Sequence, residues 1–395
     1  MAAAIYLDNN ATTPVAPEVF EAMVPWLRDE YGNPSSAYAL GRRAAAALAE
    51  ARERVAALVG CHPESLLFTS CGTESINTAI LSCLALDPDR RHIITSAVEH
   101  SATIKLCEFL AQRGYEITWL PVDSRGRLDP GACAAAIHDE TALVSLLWAN
   151  NETGVLFPIE EIAAITAAKK IPLHVDAVQA VGKLPLNFDS LGAQFLSLSG
   201  HKLHAPKGVA ALAVSRKIRF SPLLRGSQEE GRRGGTQNVA SIVGMGVAAT
   251  LAAETPHHER IRDLRDRFEQ RALREIPGAE VNGDTERRLP NTTSLAFDGI
   301  ESEGALVLLD RSGLYCSAGS ACTTGSIHPS HVLRAMGYSN ERARASLRFS
   351  LSRLTTEDDI SRACQILPEA IARLRALRPT GSPVVSAVSV APAAP

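Results

Sequence analysis

None of the eight cysteines stands in a Cys-x-x-Cys pair. Their scatter speaks against a disulfide framework or a structural zinc site and for a reducing, cytoplasmic setting. An excess of positive charge is also missing. The 40 Lys and Arg against 43 Asp and Glu leave a formal net charge of −3, which argues against a nucleic-acid or anionic-membrane surface. No uninterrupted apolar run is long enough to span a bilayer. The opening MAAAIYLDNN has no basic n-region and turns polar almost at once, so no signal peptide is expected. Internal repeats are absent too. What remains is 395 residues, 46% hydrophobic and 21% charged. That is the balance of a soluble globular enzyme, and it is too much chain for one core of ordinary size.

Short apolar runs alternate with helical patterns. Runs at 66–70, 92–98, 144–149, 173–175, 194–198 and 209–214 read as buried strands. Helical patterns lie between them: an alanine-rich one to Leu58, one after Cys71–Ser75 to about Leu86, one from Ser101, and one from Pro158 to Lys170. Such alternation predicts an α/β fold with a mainly parallel sheet flanked by helices. Ligands in such sheets sit at the carboxyl ends of the strands. Thr73, His100, Asn151, Asp176, Gln179 and Lys202 all fall at that edge. Each alone has a plainer reading, as a cap or a satisfied buried group. Their convergence carries the argument.

The centre of it is SLSGHKLHAPKGVA, Ser197–Ala210, where two strand runs flank a polar turn holding Lys202. A lysine there either snorkels to water or is a desolvated amine that forms an imine with a carbonyl. Ser199 and His201 beside it offer donors to a phosphate, a combination that suggests pyridoxal phosphate. Thr73, at a helix start after a strand and Gly72, adds an anion site. Asp176 can keep a pyridine nitrogen protonated so that the ring acts as an electron sink. His100 can stack on the ring or shuttle a proton, and Gln179 and Asn151 can bond the ring oxygen and the substrate.

Two further stretches matter. YCSAGSACTTGSIH, Tyr315–His328, is rich in Gly, Ser and Thr and should be mobile. It holds Cys322 outside any apolar periodicity, which points to a nucleophilic thiol. Cys316 reads as structural. ASLRFSLSR, Ala345–Arg353, alternates as a half-buried strand with Leu347, Phe349 and Leu351 inward; Arg348, on the other face, could grip a carboxylate. Arg353 reads as a surface residue. IYLDNNATTP, Ile5–Pro14, is better read as ordinary turn chemistry. Residues 240–275 read as helical, and the tail from Arg378 as disordered.

Together LDNNATTP, GNPSS, TSCGTES, VEH, WANNETG, HVDAVQAVGK, SLSGHKLHAPKG, RRGGTQN, GSACTTG and LRFSLSR resemble the cysteine desulfurases of the NifS/IscS type, nearer the NifS subgroup. That is a class V branch of the fold-type I pyridoxal phosphate enzymes, and the resemblance runs from Ile5 to about Arg375. It implies a mainly parallel seven-stranded sheet plus a smaller α+β domain. Residues 15–255 would form the large cofactor-binding domain, residues 1–14 and 256–377 the small domain carrying the mobile Cys322 loop, and residues 378–395 a tail. It further implies that Lys202 carries the cofactor. Thr73, Ser199 and His201 would hold its phosphate with backbone help from Gly72 and Gly200, and Thr236 would reach the phosphate of a second subunit in a homodimer. His100 would stack on the ring, Asp176 would pair with its nitrogen, Gln179 with its phenolic oxygen, and Asn151 and Arg348 with the substrate carboxylate.

The implied reaction takes sulfur from L-cysteine, leaving a persulfide on Cys322 and releasing L-alanine. The sulfur would pass to a NifU-type scaffold for iron–sulfur cluster assembly, as in nitrogenase maturation, with Cys322 as a transient iron–sulfur ligand. Ala318, Thr324 and His328 depart from the family's loop pattern. A class V aminotransferase, a selenocysteine lyase and a non-catalytic sulfur carrier are the alternative readings.

Overall fold

The computed structural model describes residues 4–254, 257–318 and 329–377. Strands run, in chain order, β1 (Ile5–Tyr6), β2 (Leu66–Thr69), β3 (His92–Ser96), β4 (Glu116–Leu120), β5 (Thr141–Leu147), β6 (Leu173–Asp176), β7 (Phe195–Ser199) and β8 (Ala210–Val214). They continue with β9 (Ala279–Val281), β10 (Thr292–Phe297), β11 (Leu314–Tyr315), β12 (Ser317–Ala318) and β13 (Ser346–Ser350). Seven of them form one sheet in the order β2-β8-β7-β6-β5-β3-β4. All run parallel except β8, which is antiparallel to both neighbours.

The apolar runs have a physical cause. A parallel sheet covered by helices buries both faces of each strand, so polar residues are not needed at alternate positions. One face holds Phe68, Ile94, Val144, Leu146, Val175 and Leu198. It is covered by the helices Ala39–Val59, Ile159–Ala168 and Val239–Ala253. The opposite face presents Leu67, Ile93, Leu143, Phe195 and Leu212 to the helices Gly72–Leu86 and Ser101–Ala111. The edge strand β4 is only partly buried, so its sequence, EITWL, carries no strong pattern.

A second, antiparallel sheet has the order β12-β13-β10-β9. Its core, including Phe268, Leu295, Phe297, Leu347, Phe349 and Ile371, is separate from that of the large sheet. Ile5 and Leu7 belong to this core, and β1 pairs with β11. Residues 240–275 are two helices, Val239–Ala253 and His257–Glu275. The chain leaves the helical region at Glu254 (φ −68°, ψ 102°), two residues before Pro256 in the sequence. No single helix among the described residues is long and apolar enough to cross a membrane.

Candidate active site at the carboxyl edge of the large sheet

β6 ends on Asp176 and β7 on Ser199, from which one tight helical turn, Gly200–Lys202, leads directly to the lysine. Thr73, His100 and Asn151 follow the ends of β2, β3 and β5. With Gly72, Gln179, Ser199, His201 and Arg348 they line one cavity of about 280 Å³. Two of the expected residues stand apart. Gly200 packs against Val209, where a Cβ would come within 2.9 Å of the valine side chain. Thr236 is exposed and does not line the cavity. Cys322 lies outside the described residues, as do Thr324 and His328.

Residues 8–13 do far more than turn. Lys202 Nζ donates to the carbonyls of Asn10 (2.6 Å) and Ala11 (2.7 Å). Gln179 Nε2 donates to the same Asn10 carbonyl at 2.9 Å. Asn10 Nδ2 bonds Thr292 Oγ1 and the Asn151 carbonyl, and Thr13 binds the His201 carbonyl. The segment is therefore a polar joint between the two sheets. Its partners lie 141 to 341 residues away in the chain, so no local pattern discloses them.

Arg348 is 1% exposed. Its Nη2 donates to Asp8 Oδ1 at 2.6 Å and Nη1 to the Asn151 carbonyl at 3.1 Å, while Nε has no partner. Ser346 and Ser350 on the same side of β13 are fully buried as well, so the strand expected to be half-buried is covered on both faces. Arg353 is not a free surface residue either. Its side chain is 16% exposed and faces Glu18 at 3.5 Å.

Burial sets the protonation states. It pushes the Asp176 carboxyl above the usual range, with His100 and Lys202 pulling it back. Asp176 Oδ1 accepts from the Val178 N–H at 2.9 Å. Burial also lowers the pKa of His100, whose Nδ1 accepts from the Ala102 N–H, so its neutral ring carries the proton on Nε2. His201 is pushed down to about 4, by burial first and then by Lys202.

Two buried acids were not evident as site residues. Glu99 is raised by burial to about 8, and Glu152 to about 7. Glu152 accepts from Ser330 Oγ at 2.5 Å, and Ser317 Oγ donates to Asp8 Oδ2 at 2.8 Å. These bonds fasten both described flanks of residues 319–328 to neighbours of the cavity lining, Asp8 being bonded to Arg348 and Glu152 following Asn151.

The cavity suits a phosphorylated pyridine aldehyde. Ser199 Oγ is buried without a hydrogen-bond partner, an unfilled donor beside Lys202. No side chain caps the helix Gly72–Leu86 at Cys71, so its first N–H groups and positive dipole end face an anion. At Gly72 an added Cβ would come within 3.2 Å of Val178 and 3.6 Å of Ser199, narrowing that cradle. Asp176, at the end of β6, would supply the carboxylate for a protonated ring nitrogen.

Comparison with known proteins agrees. The aminotransferase class-V family model matches residues 5–363. This chain belongs to the aminotransferase class-V family. Within it, the chain is 52% identical over 379 residues to a cysteine desulfurase of Nostoc sp., covering 95% of this chain and 94% of that protein. It is 50% identical over 379 residues to the cysteine desulfurase NifS of Azotobacter vinelandii, with the same coverage. Among solved structures, a NifS-like protein superposes with a TM-score of 0.88 at 35% identity, covering 94% of this chain and all of the other. SspA in complex with cysteine does so with 0.79 at 34% identity, covering 89% and 99%. The chain thus stands among the cysteine desulfurases of the family, which are pyridoxal phosphate enzymes with the fold-type I architecture.

Proposed function

We propose that this desulfurase removes sulfur from L-cysteine at the cavity around Lys202, leaves it as a persulfide on Cys322, and releases L-alanine. The meeting of Lys202, Asp176 and an unpartnered Ser199 hydroxyl in one cavity carries this reading. Lys202 holds pyridoxal phosphate. Thr73, Ser199, His201 and the N–H groups at Gly72 hold its phosphate, while Asp176 and Gln179 engage its ring. The bound group supplies an electron sink for the carbon–sulfur bond being broken.

The chain's own residues do the rest. Arg348 and Asn151 take the substrate carboxylate; Arg348 Nε is already unpartnered and Asp8 fixes the guanidinium plane. Lys202, whose amine rests on two backbone carbonyls, would take the Cα proton of the substrate. Neutral His100, with a proton on Nε2, lines the cavity where it would pack against the bound ring and pass a proton to the substrate side. The Cys322 thiolate forms the new S–S bond as the substrate C–S bond breaks, and the carbon fragment gains protons and leaves as alanine. The tethering of Ser317 to Asp8 and of Ser330 to Glu152 supports delivery of Cys322 to this rim.

The sulfur goes to a NifU-type iron–sulfur scaffold, where Cys322 is a transient cluster ligand. Similarity to a NifS protein supports a role in nitrogenase maturation. The enzyme acts in the cytoplasm as a homodimer. Exposed Thr236, on a segment that Arg233 ties to Glu74 (2.8 Å) beside Thr73, is then available to the phosphate of the second copy. The free thiols of the described cysteines fit a reducing compartment.

The test is a visible spectrum of the purified protein with and without L-cysteine, alongside alanine and sulfide assays. A coloured protein that yields both products in equal amounts is expected. A colourless protein, or one that turns over only with a keto acid, would overturn the proposal.

A further inference from the structure

The sequence HVDAVQAVGK places Gln179 and Lys183 four residues apart, after β6. The chain there is a helical turn in which the Val181 N–H bonds the Ala177 carbonyl and the Lys183 N–H bonds the Ala180 carbonyl. Gly182 then adopts φ +71°, and a Cβ there would come within 2.7 Å of Leu203. Only glycine combines that conformation with that approach. The reversal brings Lys183 Nζ to within 2.8 Å of Gln179 Oε1. On its other side, Gln179 Nε2 donates to the Asn10 carbonyl. Lys183 does not line the cavity that holds Asp176 and Gln179. It lines a neighbouring one together with His204, Leu251 and Arg353, and Lys202 lines both.

A glutamine amide can flip, exchanging its donor and acceptor ends. Flipped, Gln179 would set its NH2 against the Lys183 amine, two donors facing, and its oxygen against the Asn10 carbonyl, two acceptors facing. Asn10 alone is an imperfect guide, because its carbonyl also accepts from Lys202. That shared acceptor changes company whenever Lys202 does.

Resting on the cofactor site proposed above, we infer that Lys183 is a positioning residue, holding the Gln179 amide so that its N–H face, and not its oxygen, meets the phenolic oxygen of the cofactor. Lys183 never touches that group itself. Its setting suits the task. Burial first, then Lys202 and Arg348, bring its pKa down to about 7, and neutral His201 and His204 stand near it. A lysine amine donates to Gln179 Oε1 whether charged or neutral; charged, it can only donate and so excludes the flipped amide outright, and neutral, the Asn10 carbonyl still disfavours the flip.

The experiment follows the visible absorption of the cofactor-loaded enzyme, without cysteine, as pH is varied. A donor on the phenolic oxygen disfavours the proton on the neighbouring imine nitrogen. Lys183→Met should therefore raise the titration midpoint by about one pH unit, and Gln179→Leu should raise it similarly. In the Gln179→Leu background, Lys183→Met should add almost nothing. Lys183→Gln, which keeps an N–H toward Gln179 but no charge, should restore the parent midpoint. An unmoved midpoint in Lys183→Met overturns the inference. So does a shift of equal size in both backgrounds, or a shift in Lys183→Gln as large as in Lys183→Met, since either marks a remote charge. A wild-type protein with no visible band removes the cofactor reading and this inference with it; a band that ignores both substitutions removes the inference alone.

Discussion

Asp8→Asn tests whether the arginine that would read the substrate carboxylate depends on a carboxylate of its own chain. Arg348 is buried and Asp8 nearly so, with side chains 2% and 16% exposed and 2.6 Å apart. Breaking a buried ion pair by removing one partner costs about 3–5 kcal/mol, because the remaining charge stays desolvated. Asparagine keeps the shape and one acceptor oxygen, and the residual exposure of Asp8 admits solvent, so about 2–3 kcal/mol is the expected loss. For a chain of 395 residues that corresponds to a fall in melting temperature of roughly 2.5–3.5 °C. Scanning calorimetry at pH 7 in low salt measures it. A second arm uses a bound amino acid: its carboxylate would replace the missing negative charge, so the variant should gain more melting temperature from saturating L-alanine than the parent does. A melting temperature within about 1 °C of the parent would show that the pair contributes little. An equal or smaller gain from alanine would remove Arg348 as the carboxylate's partner.

Lys202→Ala should lose the cofactor's visible band and reduce turnover by at least about a hundredfold; unchanged turnover excludes Lys202 as the cofactor-bearing residue. Cys322→Ala should keep the band yet form no persulfide, and full alanine release in that variant would refute its role. Glu99 has a folded-state pKa raised by burial to about 8. The native chain therefore holds this proton where the unfolded chain has lost it, and stability falls as pH rises from the ordinary carboxylate range towards 8. Glu99→Gln removes that titration, so denaturant midpoints measured from pH 5 to 8 should decline less steeply than in the parent; identical slopes would show that Glu99 is ionised in the fold.

The residues that the sequence discloses well share one property: each follows a strand buried on both faces. An apolar run that stops at a polar residue marks the carboxyl edge of the sheet, and Thr73, His100, Asn151, Asp176, Ser199 and Lys202 all carry that mark. Residues whose role comes from distant partners do not. Asp8 and Asn10 look like turn formers because Asp and Asn are turn formers. Only folding brings Asp8 to Arg348 and Asn10 to Thr292. The same holds for Ser346 and Ser350, whose polarity reads as solvent exposure although they face a polar interior. Glu99 and Glu152 escaped notice because a carboxylate after a strand is ordinarily a surface group, and nothing nearby signals that both are buried.

The Asn10 carbonyl shows how closely the two halves of this site depend on one another. It accepts from Lys202 and from Gln179 at once, and its residue is bonded through Nδ2 to β10 in the second sheet. A lysine resting on backbone carbonyls has two of its donors satisfied by neutral acceptors. Were those two acceptors a carboxylate instead, a covalent bond at Nζ would leave that acid buried and uncompensated, at a cost of several kcal/mol. Neutral carbonyls impose no such cost. When Lys202 leaves, Asn10 still has the Gln179 N–H, so the acceptor is never orphaned. These two carbonyls can thus release the lysine cheaply, which is what the proposed alternation between carrying a cofactor and moving a proton requires.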